Sequence, residues 1–214
     1  MTPGGGERGV ALLITIMALL LMSALGVALI LTSASETIIA AHFRNGIEAR
    51  YAAGAIVARA IEDVAATADW GLLVDGTLRS AWVDGPPSGA RALGDGSTID
   101  LAQVINLANC QKTTACSQAD IAAVTTDRPW GANNPRWTLY AYGPLRALLP
   151  SPAAVDSPYY VLLLVGSGPA PERLAMRAEA FGPRGAHAVV EVTAGYNDNP
   201  GQGAVKILSW REVR

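Results

Sequence analysis

The chain has 214 residues, of which half are hydrophobic, and it carries 16 lysines and arginines against 18 aspartates and glutamates. This length suits one modest domain beside a membrane segment. From Asp69 to the last residue, 12 basic side chains are balanced by 13 acidic ones. Because no basic excess would attract a phosphate backbone, we do not expect a nucleic acid as a direct partner.

An uncharged segment runs from Val10 to Ser35. As a helix, its 26 residues would extend about 39 Å, which exceeds the roughly 30 Å hydrocarbon core of a bilayer. We therefore predict a transmembrane helix at residues 10–35. A cleaved secretory signal is the alternative, but the apolar region of such a signal has about 7–15 residues. Here the apolar run from Val10 to Leu31 has 22 residues.

The charges at the two ends of this segment indicate its orientation. Arg8 is the positive side chain close to one end, and Glu36 is the first charge beyond the other. Positive residues favour the cytoplasmic side of a membrane. We therefore expect the amino terminus inside the cell and residues 69–214 outside the cytoplasm.

The helical pattern continues past the apolar segment. Apolar residues recur every three or four positions from Ile39 to Ala65, and charged residues lie between them. This spacing is typical of an amphipathic helix. No proline interrupts residues 10–68. The sequence therefore predicts one long helix whose amphipathic continuation is residues 36–68.

The first quarter of the chain resembles a known class of protein. Its features are a short leader that ends in Arg8-Gly9, an apolar helix that begins at the next residue, and an amphipathic extension. These features resemble the N-terminal region of type IV pilins and type II secretion pseudopilins. More narrowly, they resemble the N-terminal domain of PilX-type minor pilins. The similar stretch is residues 8–55, RGVALLITIMALLLMSALGVALILTSASETIIAAHFRNGIEARYAAGA.

The resemblance implies an α+β, pilin-like fold in which the long N-terminal helix packs against a mainly antiparallel sheet. It also implies that residues 1–9 are a leader. A prepilin peptidase would cleave after Gly9, where no Cβ obstructs its approach, and would methylate the new amino terminus of Val10. Residues 69–214 would then be the exported globular domain.

The resemblance further implies a structural subunit of a type IV pilus or related filament, with no catalysis and no cofactor of its own. Such a subunit begins as a single-pass protein of the bacterial inner membrane with a periplasmic domain. Its partners would be other minor and major pilins, contacted through the N-terminal helix, the prepilin peptidase and, as a further candidate, a tip adhesin. The alternative is a membrane-anchored periplasmic binding protein that does not polymerise.

One position departs from the pattern of major pilins. Most of them carry a Glu five residues into the mature chain, and counting from Val10 places Ile14 there. In the family, that Glu meets the terminal amine of a neighbouring subunit in the filament core, where an unpaired charge is costly to bury. The absence of the Glu favours assembly initiation at or near the tip.

The exported part is predicted to combine turns, short helices and strands. Leu101–Ala108 and Ser117–Val124 are candidate helices. Five runs of apolar, β-branched or aromatic residues, separated by Gly and Pro, predict a mainly antiparallel sheet, with a hairpin turn at residues 182–186. The predicted strands are Trp137–Tyr142, Tyr159–Val165, Leu174–Phe181, His187–Thr193 and Ala204–Trp210.

Cys110 and Cys116 are the only cysteines, and both lie in the predicted exported part. An even count in an oxidising compartment favours a local disulfide. Two free, buried thiols are the alternative. A metal site is not expected, because two Cys with no nearby His supply too few ligands for a closed zinc site.

The remaining candidates favour structural roles. We interpret His187 as a solvated turn residue rather than a general base, and VGSGP at residues 165–169 lacks the spacing of a nucleophile elbow. The stretches GDGSTID and YNDNPGQG, at residues 94–100 and 196–203, suggest turns rather than calcium sites. Most tryptophans are expected in the core rather than as stacking platforms for sugars or partners. The tryptophans are Trp70, Trp82, Trp130, Trp137 and Trp210.

Overall fold

The computed structural model describes residues 7–125, 136–148, 157–170, 172–197 and 205–213. The predicted α+β class is confirmed, because a long N-terminal helix packs against a five-stranded antiparallel sheet. The chain divides into two units, Met1–Arg44 and Asn45–Arg214. The sheet and all shorter elements that the structure describes belong to the second unit.

Helix α1 spans Glu7–Ala65, three residues short of the predicted end. Its last carbonyl groups accept hydrogen bonds from side chains as well as from the backbone amides of Ala66 and Thr67. The indole Nε1 of Trp70 donates to the Val64 carbonyl at 3.2 Å, and the Thr67 hydroxyl donates to the Asp63 carbonyl at 2.9 Å. These bonds satisfy carbonyl groups that a helix terminus otherwise leaves open.

The second unit is built on the last part of α1. Its buried positions recur every three or four residues, as expected for one apolar face of a helix. Several of them are alanines, whose small side chains let the helix approach the sheet closely. These buried residues are Ala49, Ala52, Ala53, Ile56, Val57, Ala60 and Val64.

The main sheet is an antiparallel meander of β3, β4, β5, β6 and β7, in that spatial order. All five predicted strands are confirmed, with ends that differ by a few residues; Ala204 lies outside the described residues. The predicted hairpin turn joins β5 to β6, and Gly185 adopts a φ of 73° there, which suits glycine. The strands are β3 (Thr138–Pro144), β4 (Tyr160–Ser167), β5 (Arg173–Phe181), β6 (His187–Tyr196) and β7 (Val205–Val213).

The sheet buries side chains on both faces. Val161, Leu163 and Val165 of β4 join the cluster that contains α1. Alternate β4 residues, Leu162 and Leu164, join a second cluster formed with helix α3 (Leu101–Cys110). This is the alternation that a strand requires, and here both sets are apolar because both faces are covered.

The remaining elements surround this second face. Asp100 caps α3, since its carboxylate accepts a hydrogen bond from the Gln103 amide at 3.0 Å. Helix α4 confirms the second predicted short helix, shifted by one residue. The turn-rich segment was expected to form turns around short strands, and the structure has two such strands there, whereas the short helix Gly71–Val74 was not predicted. The further elements are α2 (Gly71–Val74), β1 (Ala90–Ala92), β2 (Thr98–Asp100), α4 (Gln118–Thr125) and two 3₁₀ turns, Leu145–Leu148 and Pro183–Gly185.

Candidate functional site

The predicted processing site lies in the first turns of α1. Gly9 and Val10 are helical, and a Cβ placed on Gly9 would meet no atom within 4 Å. Among the residues that the structure describes, none crowds this glycine. Cleavage after Gly9 and methylation of Val10 stay predictions, because the geometry alone does not test them.

The apolar part of α1 is long and hydrophobic enough to cross a membrane, and none of its most apolar 18-residue window is buried. Val10 and Ile14 are each 59% exposed. Hydroxyl groups along this segment donate hydrogen bonds to carbonyl groups of the preceding turn. The Thr15 hydroxyl donates to the Leu12 carbonyl at 2.8 Å, and the Thr32 hydroxyl donates to the Ala28 carbonyl at 2.9 Å. Such internal pairing suits a hydrocarbon environment, where no water satisfies polar groups.

The structure joins Cys110 and Cys116 in a disulfide. Cys110 is the last residue of α3, and Cys116 lies just before α4. Beside the bridge, Asp120 accepts hydrogen bonds from the Ser117 amide at 3.0 Å and from Lys112. The hydrogen bond from Lys112, with those from Ser117, lowers the pKa of Asp120 to about 2. The disulfide therefore joins the end of α3 to the residues just before α4.

A buried ion network lies on the second face of the sheet, across β5, β6 and β7. Arg177 donates to Glu179 at 2.7 Å and to Glu191 at 2.8 Å. The two carboxylate side chains are only 5% and 7% exposed. Arg211 contacts the second oxygen of Glu191, and His187 Nε2 lies 2.9 Å from Glu179. The sequence analysis did not identify this network.

The interpretation of His187 as a solvated turn residue is correct only in part, because 44% of its side chain is exposed but the residue has specific partners. His187 opens β6, stacks on Phe181 with ring centroids 4.5 Å apart, and reaches the buried carboxylate of Glu179. Burial alone would raise the pKa of Glu179, but the His187 hydrogen bond and the charge of Arg177 outweigh it, and the pKa is lowered. His187 thus contributes to a structural network rather than to an isolated turn.

The turn interpretation is confirmed for residues 94–97, whereas Thr98–Asp100 form β2. Asp95 accepts from the Ser97 amide at 3.0 Å and from the Arg184 amide at 2.9 Å. Its carboxylate therefore joins its own turn to the β5–β6 hairpin, and these bonds lower the pKa of Asp95, the side-chain bond from Ser97 most. Most of the second candidate stretch, residues 198–203, lies outside the described residues.

The tryptophans divide between core and surface. Trp70 and Trp137 are buried, as expected, and Trp82 packs against the core cluster that contains α1. Trp210 is half exposed and lies against α1, where its ring would be 3.7 Å from a Cβ on Gly54. Trp130 lies outside the described residues.

The chain matches no protein-family model, no curated protein and no solved structure. The described residues form a membrane-length apolar helix whose continuation is part of the core of an α+β domain.

Proposed function

We propose that this protein is a minor pilin or minor pseudopilin, a structural subunit of a type IV pilus or related filament. The observation that carries the proposal is the double use of α1. Its first part exposes a membrane-length apolar surface, and its last part is the central core element of an antiparallel α+β domain. A protein that only needed an anchor would not require its membrane helix to be part of its folded core.

The position of Gly9 supports the same proposal. The glycine precedes Val10 at the start of the uncharged segment, and no atom of the described part of the chain lies within 4 Å of a Cβ placed on it. A processing peptidase needs such access to the backbone. Cleavage there would leave the apolar helix attached to the domain, as a filament subunit requires.

The test is the mass of the protein after co-expression with a prepilin peptidase. We expect a chain that begins at an N-methylated Val10. Gly9→Leu should block the cut, because its side chain obstructs the backbone. Gly26→Leu is the matched control, since Gly26 lies in the same helix with equally open surroundings, and it should be processed normally.

Two results would contradict the proposal. A chain that keeps its first nine residues in the presence of an active peptidase would indicate a plain membrane anchor. A chain that begins near Glu36 would indicate a cleaved secretory signal.

Within the filament, we propose a place at or near the tip, where the subunit helps to initiate assembly with other minor pilins. Ile14 occupies the fifth mature position and offers no carboxylate to a neighbour's terminal amine. A charge left unpaired in a dry environment costs several kcal/mol, and about 1.4 kcal/mol already changes an equilibrium tenfold. Ile14 therefore strongly favours placement of this subunit at the tip, where it is the first to be assembled.

Placement is tested by immunogold labelling. The unaltered subunit should mark filament ends, and its deletion should reduce filament number while the major subunit stays abundant. Ile14→Glu should shift label from the ends to the shaft, whereas Leu12→Glu, which adds the same charge two residues away, should not. Uniform shaft labelling by the unaltered protein would contradict tip placement.

A further inference from the structure

A cavity of about 440 Å³ lies where α1 ends, and we call it the aromatic cavity. It is formed by the chain after α1, by α2, by the β4–β5 hairpin and by the end of β6. Its lining includes Asp69, Trp70, Asp75, Glu172, Leu174 and Tyr196.

An aromatic pair lies in its wall. Trp70 and Tyr196 stack with ring centroids 4.0 Å apart and planes 14° from parallel. Trp70 is only 6% exposed, whereas Tyr196 is 40% exposed. The Tyr196 hydroxyl donates to the Ala68 carbonyl at 3.1 Å, which fixes the ring. The cavity therefore presents a rigid, partly open aromatic surface.

Carboxylates surround this surface. One oxygen of Asp69 accepts from the Gly71 amide at 2.8 Å, and one oxygen of Asp75 accepts from the Thr77 amide at 2.8 Å. These bonds hold both side chains in place, and the amide of Thr77 lowers the pKa of Asp75. Burial, followed by the charges of Asp69 and Glu172, raises the pKa of Tyr196. The aromatic surface thus lies in a negative potential.

The basic residue in the lining, Arg173, directs its side chain away from the aromatic surface. Arg173 precedes Leu174, which belongs to the core cluster around α1. Successive strand residues point to opposite faces, so the Arg173 side chain lies on the other face of the sheet. Its Nη1 is 3.0 Å from the position that a Cβ on Gly195 would occupy, which is consistent with that direction.

The carboxylates are too widely placed for a small metal ion. Among the described residues, no three Asp, Glu, His or Cys side chains are grouped closely enough to hold one. An organic cation can instead rest against an aromatic ring, to which its charge is attracted, while carboxylates around the ring accept its hydrogen bonds.

We propose that the aromatic cavity binds a lysine or arginine side chain presented by another polypeptide, with its charge over the ring of Tyr196 and between Asp69 and Glu172. This site is independent of the filament proposal, because its chemistry is the same whether or not the chain polymerises.

The test uses the full chain in detergent and fluorescence anisotropy of labelled pentapeptides. The probes have a central lysine or arginine flanked by glycine and serine, with norleucine and glutamate counterparts. The cationic peptides should bind at least tenfold more tightly than the norleucine peptide, and added salt should weaken the binding. Equal binding of the norleucine peptide, or no binding of any peptide, would overturn the proposal.

Variants locate the site. Asp69→Asn with Glu172→Gln keeps the side-chain shapes and the Gly71 hydrogen bond but removes two charges, so binding should fall at least tenfold with an unchanged circular dichroism spectrum. Tyr196→Leu should weaken binding separately. Glu212→Gln, which removes an exposed carboxylate beside Arg50, is the control and should bind normally. Unchanged binding by the double variant would contradict the assignment.

Discussion

Replacing Arg177 with Leu should destabilise the domain far more than an ordinary loss of a charge. Its guanidinium lies between Glu179 and Glu191, at 2.7 and 2.8 Å, and both carboxylates are almost completely buried. The variant would leave these carboxylates with His187 and Arg211 as their remaining side-chain partners in the described network. Breaking a buried ion pair by removing one partner costs about 3–5 kcal/mol. Because both carboxylates keep another neighbour, we expect about 3 kcal/mol.

The unfolding free energy lost in the Arg177→Leu variant should depend on pH. The folded pKa of Glu179 is lowered in the unaltered protein, so its contribution to stability is present at neutral pH and is lost as the pH falls through that lowered pKa. Without Arg177, burial acts on the Glu179 carboxylate with less opposition and raises its pKa. As the pH falls, Glu179 of the variant therefore becomes protonated before Glu179 of the unaltered protein, and the cost of burying its charge disappears. The difference in unfolding free energy should therefore shrink between neutral pH and mildly acidic pH.

The assay is urea unfolding of the full chain in a mild detergent, followed by tryptophan fluorescence at neutral pH and near pH 4.5, the ordinary glutamate value. Arg59→Leu is the control, because that half-exposed arginine pairs with Glu62 and Asp63 on the helix surface. It should cost less than about 1 kcal/mol. Arg177→Lys, which keeps the charge but loses the two-pronged geometry, should lie between the two.

A loss for Arg177→Leu no larger than that of the control would refute the reasoning. So would a loss that stays constant across the pH range, since it would then reflect packing rather than charge.

Two further predictions concern the second unit. Replacing Cys110 and Cys116 by Ala should lower the unfolding free energy by about 2 kcal/mol, because the bridge closes a loop with a sequence separation of 6, and short loops constrain the unfolded chain least. Equal urea midpoints for the oxidised protein and the variant would contradict this. Gly54→Ala should raise stability by about 1 kcal/mol, since a Cβ there lies at an ordinary contact distance of 3.7 Å from Trp210 and alanine favours the helix. A lowered thermal midpoint would show that the Trp210 ring cannot accommodate the methyl group.

The strands and long helix were predictable because their signals are local. Each of the five strands is a run of strand-favouring residues between turn residues, and α1 contains no proline. The end of α1 was placed three residues too late, because the Trp70 indole that caps the last turn belongs to the following loop. No periodicity could have indicated that bond.

The ion network and the aromatic cavity depend on register, which the sequence does not provide. Glu179 and His187 become neighbours only because Phe181 pairs with His187 in the hairpin and places alternate residues on one face. Likewise, Tyr196 meets Trp70 across 126 residues of chain, after α1 has packed on the sheet. Because alternate strand residues share a face, the predicted hairpin could have suggested the contact between Glu179 and His187. It could not have suggested the contact between Trp70 and Tyr196.

The position of α1 in the core also determines when the protein can finish folding during synthesis. The earliest part of the second unit to be made, from Asn45 onward, supplies the helix on which the sheet packs. Its partners come much later: the Tyr159 hydroxyl donates to the Asn45 carbonyl across 114 residues, and Val190, Val192 and Ala194 of β6 are later still. Contacts so distant along the chain form only after the loop between them has closed. The nascent chain therefore remains without a complete core until almost all of it has been translated.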